Sequence, residues 1–255
     1  MKYKFIYFTF LFLTNIAFSQ SKELHIQYDF YFKDYYPEER QISVIANYEE
    51  SLSTITRTIM YKERGETNYE PKSWFTHVFK TKDSLYYKET APTGIDYPYF
   101  VKESLNQMKW NLTWNYKSVL NYICQEATSI YRGREYIAYF TTKIPFKAAP
   151  WKFHGLPGVL LAVKTSDNKI TIEARELQIK PISGSLENPY LEIEKWITWD
   201  SFKELYKKSS EDFKNKTVSQ LSSVGKSGHL LGKPKIREEL RMEIIVDGNG
   251  GYENP

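Results

Sequence analysis

The sequence predicts a mainly β fold: a β-rich α+β domain in which a curved antiparallel sheet or half-barrel carries one packed amphipathic helix near residues 201–214. Two observations carry this prediction. Runs with a period of two recur along most of the chain, and one late segment has helical spacing instead. The strand-like runs also lie too close together in sequence for parallel crossovers, which need about a dozen residues or more. Consecutive antiparallel pairing is therefore expected.

The series of predicted strands begins at Leu24 and continues to Phe32. Over this run apolar side chains alternate with more polar neighbours, as is typical of a half-buried strand. Further runs with strand character are mostly bounded by Gly, Pro, Asn or Asp clusters. They cover residues 41–48, 54–61, 74–80, 85–89, 97–102, 110–116, 119–127, 135–141, 159–164, 170–179 and 241–246.

The exception is the segment from Ser201 to about Lys214, where aromatic and aliphatic residues recur at helical spacing. Ser201 and Glu204 fit a capping box, so the helix is expected to begin at Ser201. It should cover a face or an end of the sheet, because an apolar sheet face must be buried against something. Residues 219–235 are rich in Ser, Gly and Lys and are expected to form an exposed loop.

The N-terminus has the pattern of a secretory signal peptide, residues 1–19. Two lysines precede the apolar run 5–13, and Ala17-Phe18-Ser19 places small residues before the expected cleavage at Gln20. The apolar run is shorter than the roughly 20 residues that a membrane-spanning helix needs. We therefore expect an extracytoplasmic protein, periplasmic or secreted, that does not span the membrane after cleavage.

After cleavage, residues 20–255 should form a single domain with a flexible C-terminal tail from about 247 to 255. Apolar residues make up 41% and charged residues 26% of the chain, which excludes a wholly disordered or collagenous protein. The net charge of +4 includes two lysines of the leader, so nothing indicates a nucleic-acid partner. The single Cys excludes an internal disulfide.

No set of residues has the spacing of a known catalytic, cofactor or metal motif, and none is assigned. Cys124 lies on a strand-like run, where a free Cys is typically a small buried hydrophobe. Gly225-Lys226-Ser227 resembles the end of a phosphate loop, but Gln220 stands where the upstream Gly is required. Carboxylates or Cys124 gathered from distant strands could still support a hydrolase acting on glycan or peptide. That chemistry needs two carboxylates about 5–9 Å apart, which sequence spacing does not establish.

Aromatic residues concentrate between residues 97 and 153 and allow two interpretations: they fill one face of the sheet, or they line a groove for a ligand. Trp110 and Trp114 alternate with polar residues and are predicted to lie in the core. Another group combines rings with basic side chains and is the candidate ligand or partner surface. It comprises Tyr131, Arg132, Arg134, Tyr139, Trp151, Phe153 and His154.

The hexapeptide Gly155-Leu156-Pro157-Gly158-Val159-Leu160 predicts a tight turn that leads into an apolar strand. Pro157 suits the second position of a type II turn, and Gly158 suits the third, where φ is positive. Gly155 would let the backbone pass close to the groups that Trp151 and Phe153 pack against.

At these residues the chain resembles the GLPGLI family, secreted proteins of Bacteroidota-type bacteria named for this hexapeptide. Val159 and Leu160 depart conservatively from it, and Ala149 stands where a Gly is expected. Further matching segments lie between residues 110 and 165. They are Tyr122-x-Cys124-x-x-Ala127, Tyr131-Arg132-Gly133-Arg134-x-Tyr136, Tyr139-Phe140-Thr141 and Ile144-Pro145.

The resemblance implies a β-rich envelope protein without an established activity, of a kind often associated with TonB-dependent outer-membrane receptors. It assigns no catalytic residue and no cofactor. We therefore expect a non-enzymatic envelope protein that binds a small ligand or a protein partner. The alternatives are a lipid or lipoprotein carrier with a half-barrel cavity, an analogy at the level of fold, and the hydrolase.

Overall fold

The computed structural model describes residues 21–33, 39–61, 70–91, 98–105, 108–182, 184–224, 234–235 and 251–252. The predicted signal peptide and the predicted strand 241–246 lie outside the described residues. Of the predicted tail, Gly251–Tyr252 forms strand β13, which pairs with Pro234–Lys235, strand β12. No helix within the described ranges is both long enough and apolar enough to cross a membrane.

Eleven strands form one open antiparallel sheet, as the sequence predicted. From β1 to β6 the chain steps outward to one edge, then moves to the opposite edge and steps back from β7 to β11, which pairs with β1. The strands are β1 Lys22–Phe32, β2 Glu39–Ala46, β3 Ser51–Tyr61, β4 Glu70–Lys80, β5 Ser84–Thr90, β6 Pro98–Ser104, β7 Asn111–Val119, β8 Tyr122–Tyr131, β9 Arg134–Thr141, β10 Val159–Thr165 and β11 Ile170–Pro181.

The period-two pattern of β1 is visible in its burial. Leu24, Ile26, Tyr28 and Phe30 are buried, whereas the residues between them are partly exposed. The buried set continues across the ladder, where Val44 lies opposite Ile26. These side chains define the inner face of the sheet, and they place the core on that face.

The sheet curls around its inner face, because residues from its two ends meet. β6 is one edge strand, and β8 lies nine strand positions away, next to the other edge. A flat sheet would separate them by about 40 Å at the usual strand spacing. Arg132, in the turn between β8 and β9, nevertheless forms an ion pair with Glu103 of β6. The predicted curved sheet is therefore confirmed as an open half-barrel.

Helix α1 runs from Trp199 to Val224 and begins before the predicted Ser201. Thr198 is the N-cap: its carbonyl accepts the N–H of Phe202, and its Oγ1 accepts the N–H of Ser201 at 3.1 Å. The predicted loop from 219 is also wrong at its start, since residues 219–224 are helical.

The buried side of α1 carries Phe202, which packs against Tyr99 and Trp199, and Tyr206, which packs against Phe202. Two predicted members of this face, Leu205 and Phe213, remain 38% and 39% exposed. The apolar stripe is therefore narrower than its sequence spacing indicates.

The segment that precedes α1 covers the β6 edge. Ile197 forms a bridge with Val101, in which the N–H of Ile197 donates to Phe100 O and Lys102 N–H donates to Ile197 O. Trp196 packs against Phe100 on the outer face of the sheet. An open strand edge invites pairing with another chain, and this arrangement occupies part of that edge.

Two predictions at the other edge are wrong. The predicted strand 119–127 is interrupted by a turn in which Leu120 and Asn121 both have positive φ, 50° and 65°. Trp114, predicted to lie in the core, is 89% exposed. β7 is an edge strand that is exposed along most of its length, and Leu112 and Tyr116 are also 54% and 57% exposed. Neither of its faces is covered by the described residues, so its alternating pattern does not bury Trp114. A bulge lies between Leu112 and Tyr116, where the Glu126 carboxylate of β8 accepts hydrogen bonds from the bulged segment.

Candidate ligand pocket beside the strap

Residues 142–158, here called the strap, connect β9 to β10 and lie against the inner face of the sheet. Trp151 and Phe153 of the strap are buried, with ring centroids 5.0 Å apart in an edge-on arrangement. Tyr136 of β9 packs edge-on against Phe153, also at 5.0 Å. The strap therefore fills much of the half-barrel with aromatic side chains.

Hydrogen bonds attach the middle of the strap to β3 and to the start of β10. The N–H of Trp151, whose φ is 51°, donates to Ser53 Oγ of β3 at 2.8 Å. The N–H of Leu160 donates to Ala148 O at 2.9 Å. The hydroxyl of Tyr28 donates to Leu160 O at 2.8 Å, where a bulge interrupts the β9–β10 ladder.

Buried charges also bind the strap and its neighbouring turn to the opposite wall. The side chain of Lys152 is 2% exposed, and its Nζ lies 2.5 Å from Glu89 Oε1 and 3.7 Å from the ring centroid of Tyr87. Arg132, paired with Glu103, stacks its guanidinium 3.4 Å from the ring centroid of Trp199 on α1. These contacts join the strap side of the half-barrel to β5, β6 and the helix.

The two glycines of the hexapeptide have different roles from those predicted. Gly155, not Gly158, has the positive φ, 89°, so the predicted type II turn with Gly158 at its third position is wrong. A Cβ at Gly158 would lie 2.2 Å from the carbonyl oxygen of Thr141, so this position needs Gly for close backbone approach. At Gly155 a Cβ would lie in ordinary contact with Cδ1 of Trp110, at 3.5 Å, and closer to Met108 O, at 3.3 Å, so its positive φ is the stronger reason for Gly at this position.

A pocket of about 430 Å³ opens beside the hexapeptide. Its volume falls in the range of small-molecule sites. Its wall combines the strap with the β2–β3 turn and the β4–β5 turn. The lining residues are 47–50, 80–82, 105, 147–149, 153–158 and 160.

The β2–β3 turn that forms one wall is held by its own hydrogen bonds. Asn47 Oδ1 accepts the N–H groups of Glu49 and Glu50 at 2.8 and 2.7 Å. Tyr48 of the same turn stacks on Phe146 of the strap, with centroids 4.8 Å apart and planes 5° apart. This contact closes the pocket wall between the turn and the strap.

Lys80 and His154 are the lining residues whose pKa values burial shifts. The register places Lys80 opposite Ser51 of β3 and Leu85 of β5, both of which are buried, so its side chain starts on the inner face. Burial lowers the pKa of Lys80 to about 8. Burial is also the main cause that lowers the pKa of His154, and Lys80 contributes to this effect through charge repulsion.

The structure does not assemble the seven candidate surface residues into one exposed surface. Tyr131, Trp151 and Phe153 belong to the core, and Arg132 holds Glu103 in the interior. Arg134 is buried and forms an ion pair with Asp167, at 3.3 Å. Tyr139 lies on the opposite sheet face, where its hydroxyl donates to Glu126 at 2.8 Å and its pKa is raised to about 12 by burial and that carboxylate. Of the seven, Phe153 and His154 line the pocket.

Sequence reasoning missed Lys80 and the β2–β3 turn. Lys80 ends a predicted strand, and nothing in its neighbourhood distinguishes it from a solvent-exposed lysine. The turn carries a signal that could have been used, because Asn followed by polar residues between two strands is typical of a side-chain-capped turn. The sequence around Lys80 and around the turn does not show that the strap folds against both of them.

Cys124 is a packed core residue, as expected. Its side chain is fully buried, and burial raises the pKa of the thiol to about 11. A thiol with a raised pKa is a poor nucleophile, because the thiolate is the reactive form. The residues that the structure describes contain no group of three or more His, Cys, Asp or Glu side chains that could hold a metal ion.

A second depression, about 880 Å³ and more open, lies on the outer face of the sheet. It is bordered by Phe79 and Tyr86 of the sheet and by Tyr190 and Trp196 of the segment before α1. The Tyr86 and Trp196 rings pack edge-on at 5.1 Å. Four aromatic residues contribute to this surface, which offers fewer charged groups than the pocket beside the strap.

No protein-family model and no curated protein matches the chain. Among solved structures, one crystal form of PNGF-II is similar, with a TM-score of 0.51 at 13% sequence identity, over 74% of this chain and 34% of that chain. A second crystal form of PNGF-II aligns with a TM-score of 0.49 at 14% identity, over the same shares. The chain thus spans about a third of the length of PNGF-II. At such low identity the likeness shows a similar fold alone.

Proposed function

We propose that this chain is an exported envelope protein of the GLPGLI type and that it binds a small ligand in the pocket beside residues 155–160. The observation that carries the proposal is the position of the hexapeptide in the wall of a 430 Å³ pocket, with Lys80 and His154 facing the same space. Association with TonB-dependent outer-membrane transport is the cellular setting that fits an exported small-ligand binder. The proposal includes no catalytic step.

The packing of the half-barrel favours a small ligand over a lipid or lipoprotein carrier. A carrier of acyl chains needs an apolar cavity along the inner face. Here Trp151, Phe153 and the buried Lys152–Glu89 pair occupy that space. The remaining pocket is lined by three lysines and two glutamates as well as by apolar groups, which suits a polar molecule.

The hydrolase alternative has one observation in its favour. Glu49 and Glu50 both line the pocket, and a glycosidase uses two carboxylates. The Cys124 version has less support, since that thiol is buried with a raised pKa. Incubation with oligosaccharides, followed by detection of new reducing ends, tests the carboxylate version. Product formation that Glu50→Gln abolishes would replace the binding proposal with the enzymatic one.

A thermal-shift screen tests the binding proposal. Purified protein is melted in the presence of acidic, neutral and basic sugars and amino acids, and a ligand is expected to raise Tm because it binds only the folded state. Lys147→Trp should reduce the effect by filling the pocket mouth. Lys143→Trp is the matched control, since Lys143 is also an exposed strap lysine but lies outside the lining. No shift with any compound class, or a shift that survives Lys147→Trp, would contradict the proposal.

A further inference from the structure

The pocket contains a half-buried ammonium group, that of Lys80, which no described residue neutralises. Within the described ranges Lys80 forms no hydrogen bond and no ion pair, although it starts on the buried inner face. Glu49 and Glu50 line the same pocket and do not pair with it there. An uncompensated charge removed from water is costly, and buried charges in proteins are normally paired. An anion bound from solution would form an ion pair with the Lys80 ammonium and offset this free-energy cost.

His154 presents the complementary group. Its Nδ1 lies 2.8 Å from Lys152 O, and because a carbonyl only accepts, Nδ1 carries the proton and donates. Nε2 of the neutral ring is then an acceptor. This atom is buried and has no hydrogen-bond partner among the described residues, and His154 itself is 6% exposed and lines the pocket. A ligand donor, such as a hydroxyl group, would satisfy it.

The surroundings preserve these protonation states at neutral pH. The pKa of Lys80, about 8, leaves most of its side chain protonated. Burial lowers the pKa of His154, and the positive charges of Lys80 and Arg132 add to this effect, so the imidazole stays neutral. Lys82 and Lys147 at the exposed rim add positive potential where an anion would enter.

We infer that the pocket binds a small hydroxylated acid, with its carboxylate on the Lys80 ammonium and one of its hydroxyl groups donating to Nε2 of His154. This inference rests on the proposed function and names its ligand class. A sugar acid of monosaccharide size carries both groups within the dimensions of the pocket. A neutral sugar lacks the counter-charge, and a simple carboxylate lacks the donor.

Isothermal titration calorimetry with three probes tests the inference: D-glucuronate, D-glucose and acetate. D-glucuronate should bind most tightly, because it supplies both interactions. Lys80→Met should weaken its binding by roughly 10- to 100-fold, the usual effect of losing a charge-assisted hydrogen bond. Lys164→Met is the matched control, since Lys164 is a half-buried lysine on β10 outside the pocket, and it should leave the affinity unchanged.

The histidine contact has its own variants. His154→Phe should weaken D-glucuronate binding by about fivefold and leave acetate binding unchanged. His154→Gln, which keeps an acceptor, should recover part of the loss. Melting curves of each variant establish that it is folded before it is titrated.

Three sets of results would overturn all or part of the inference, and they separate it from the proposed function. If D-glucose binds as tightly as D-glucuronate, or if Lys80→Met has no effect, the pocket binds a ligand of another class and the proposed function survives. If none of the probes and no compound of the thermal-shift screen binds, both fail. If His154→Phe binds D-glucuronate as tightly as the wild type, His154 does not contact the ligand, and water is the hydrogen-bond partner of its Nε2.

Discussion

At the scale of single residues, Gly158 is the position at which the hexapeptide is least replaceable. The backbone at Gly158 passes so close to Thr141 that any Cβ would overlap the Thr141 carbonyl oxygen, at 2.2 Å. Backbone atoms at that position cannot swing away as the end of a flexible side chain can. Position 158 therefore requires Gly because Gly has no side chain, and not because the backbone has a left-handed φ.

Gly158→Ala should destabilise the folded protein by about 2–4 kcal/mol, because the strap or the end of β9 must shift. Gly184→Ala is the matched control, since a Cβ at Gly184 would have no heavy atom within 4 Å. Its effect should stay within about 0.5 kcal/mol. Urea denaturation followed by Trp fluorescence measures both. Equal effects of the two substitutions would contradict the packing argument.

Lys80 should cost the protein stability, and the cost should depend on pH. Its pKa is about 8 in the folded state against an ordinary 10.5, so between these values the unfolded chain binds more protons. Stability therefore rises with pH through this window, and the penalty is fully present below pH 8.

Lys80→Met removes this penalty and should stabilise the protein by about 1–3 kcal/mol at neutral pH. The gain should shrink toward pH 10 and beyond, as the wild-type amine loses its charge in both states. Denaturation of both proteins from pH 6 to 10 measures the difference, with Lys164→Met as the control. A Lys80→Met variant that is less stable than wild type at pH 7 would show that the amine stabilises the fold.

The sequence predicts some residues well and others poorly, for a physical reason. Cys124 could be placed in the core because it lies on an apolar strand and because a free Cys is typically a small buried hydrophobe. Trp114 could not be placed, since β7 is an edge strand with neither face covered by described residues, and Leu112 and Tyr116 are exposed as well. A period-two pattern predicts a strand but does not show whether another element covers its apolar face.

At the scale of elements, the strap is the segment that converts an open sheet into a filled half-barrel. It is irregular in structure and almost wholly buried from residue 148 to 154. An irregular segment can be buried only if its polar groups find partners. The bonds from Trp151 N–H to Ser53 and from Lys152 to Glu89 supply two of them.

Glu89→Ala should destabilise the protein by about 2–4 kcal/mol, because it removes a carboxylate 2.5 Å from the buried Lys152 ammonium. Adding Lys152→Met should recover part of that loss by removing the charge itself. The pair of variants forms a double-mutant cycle, and chemical denaturation measures each corner. Additive losses would contradict a direct interaction between the two side chains.

Strands were more predictable than their connections. Period-two patterns or apolar runs indicate the described strands of the large sheet, although burial alternates only where one face is covered: β10 is buried on both faces and β7 is mostly exposed on both. The turn at Leu120–Asn121 was missed because Leu is an unusual residue at positive φ. The start of α1 was displaced because Thr198 was not recognised as the cap, and Ser201 lies one turn inside it. The pocket combines three separate connections, and their meeting depends on the curvature of the whole sheet.

At the scale of the whole molecule, the pairing of β1 with β11 joins the first and last strands of the large sheet. The two meanders on either side are held together by this ladder, which places β1 and β11 in the middle of the sheet. The β6 edge is partly covered by Ile197, whereas β7 has neighbours on one side and is mostly exposed.

Hydrogen exchange should follow this arrangement. Peptides from β1, β10 and β11 should exchange slowest, because their opening requires loss of the central ladders. Peptides from β7 should exchange fastest among the strands of the large sheet. Mass spectrometry of deuterated protein after proteolysis measures these rates. Protection in β7 equal to that in β1 would show that the edge is covered by another chain or that the sheet is organised differently.

The strap, the β2–β3 turn and the end of β4 together form the wall of the pocket. Titrations followed by ¹H–¹⁵N correlation spectra, with D-glucuronate and with each compound that raises Tm, show whether a ligand binds there. We expect shifts of the backbone amides of Gly155, Leu156, Gly158 and Lys80, and of the turn at residues 47–50, that saturate together. Spectra that no compound changes, or shifts confined to residues 185–196 on the outer face, would contradict a ligand pocket beside the strap.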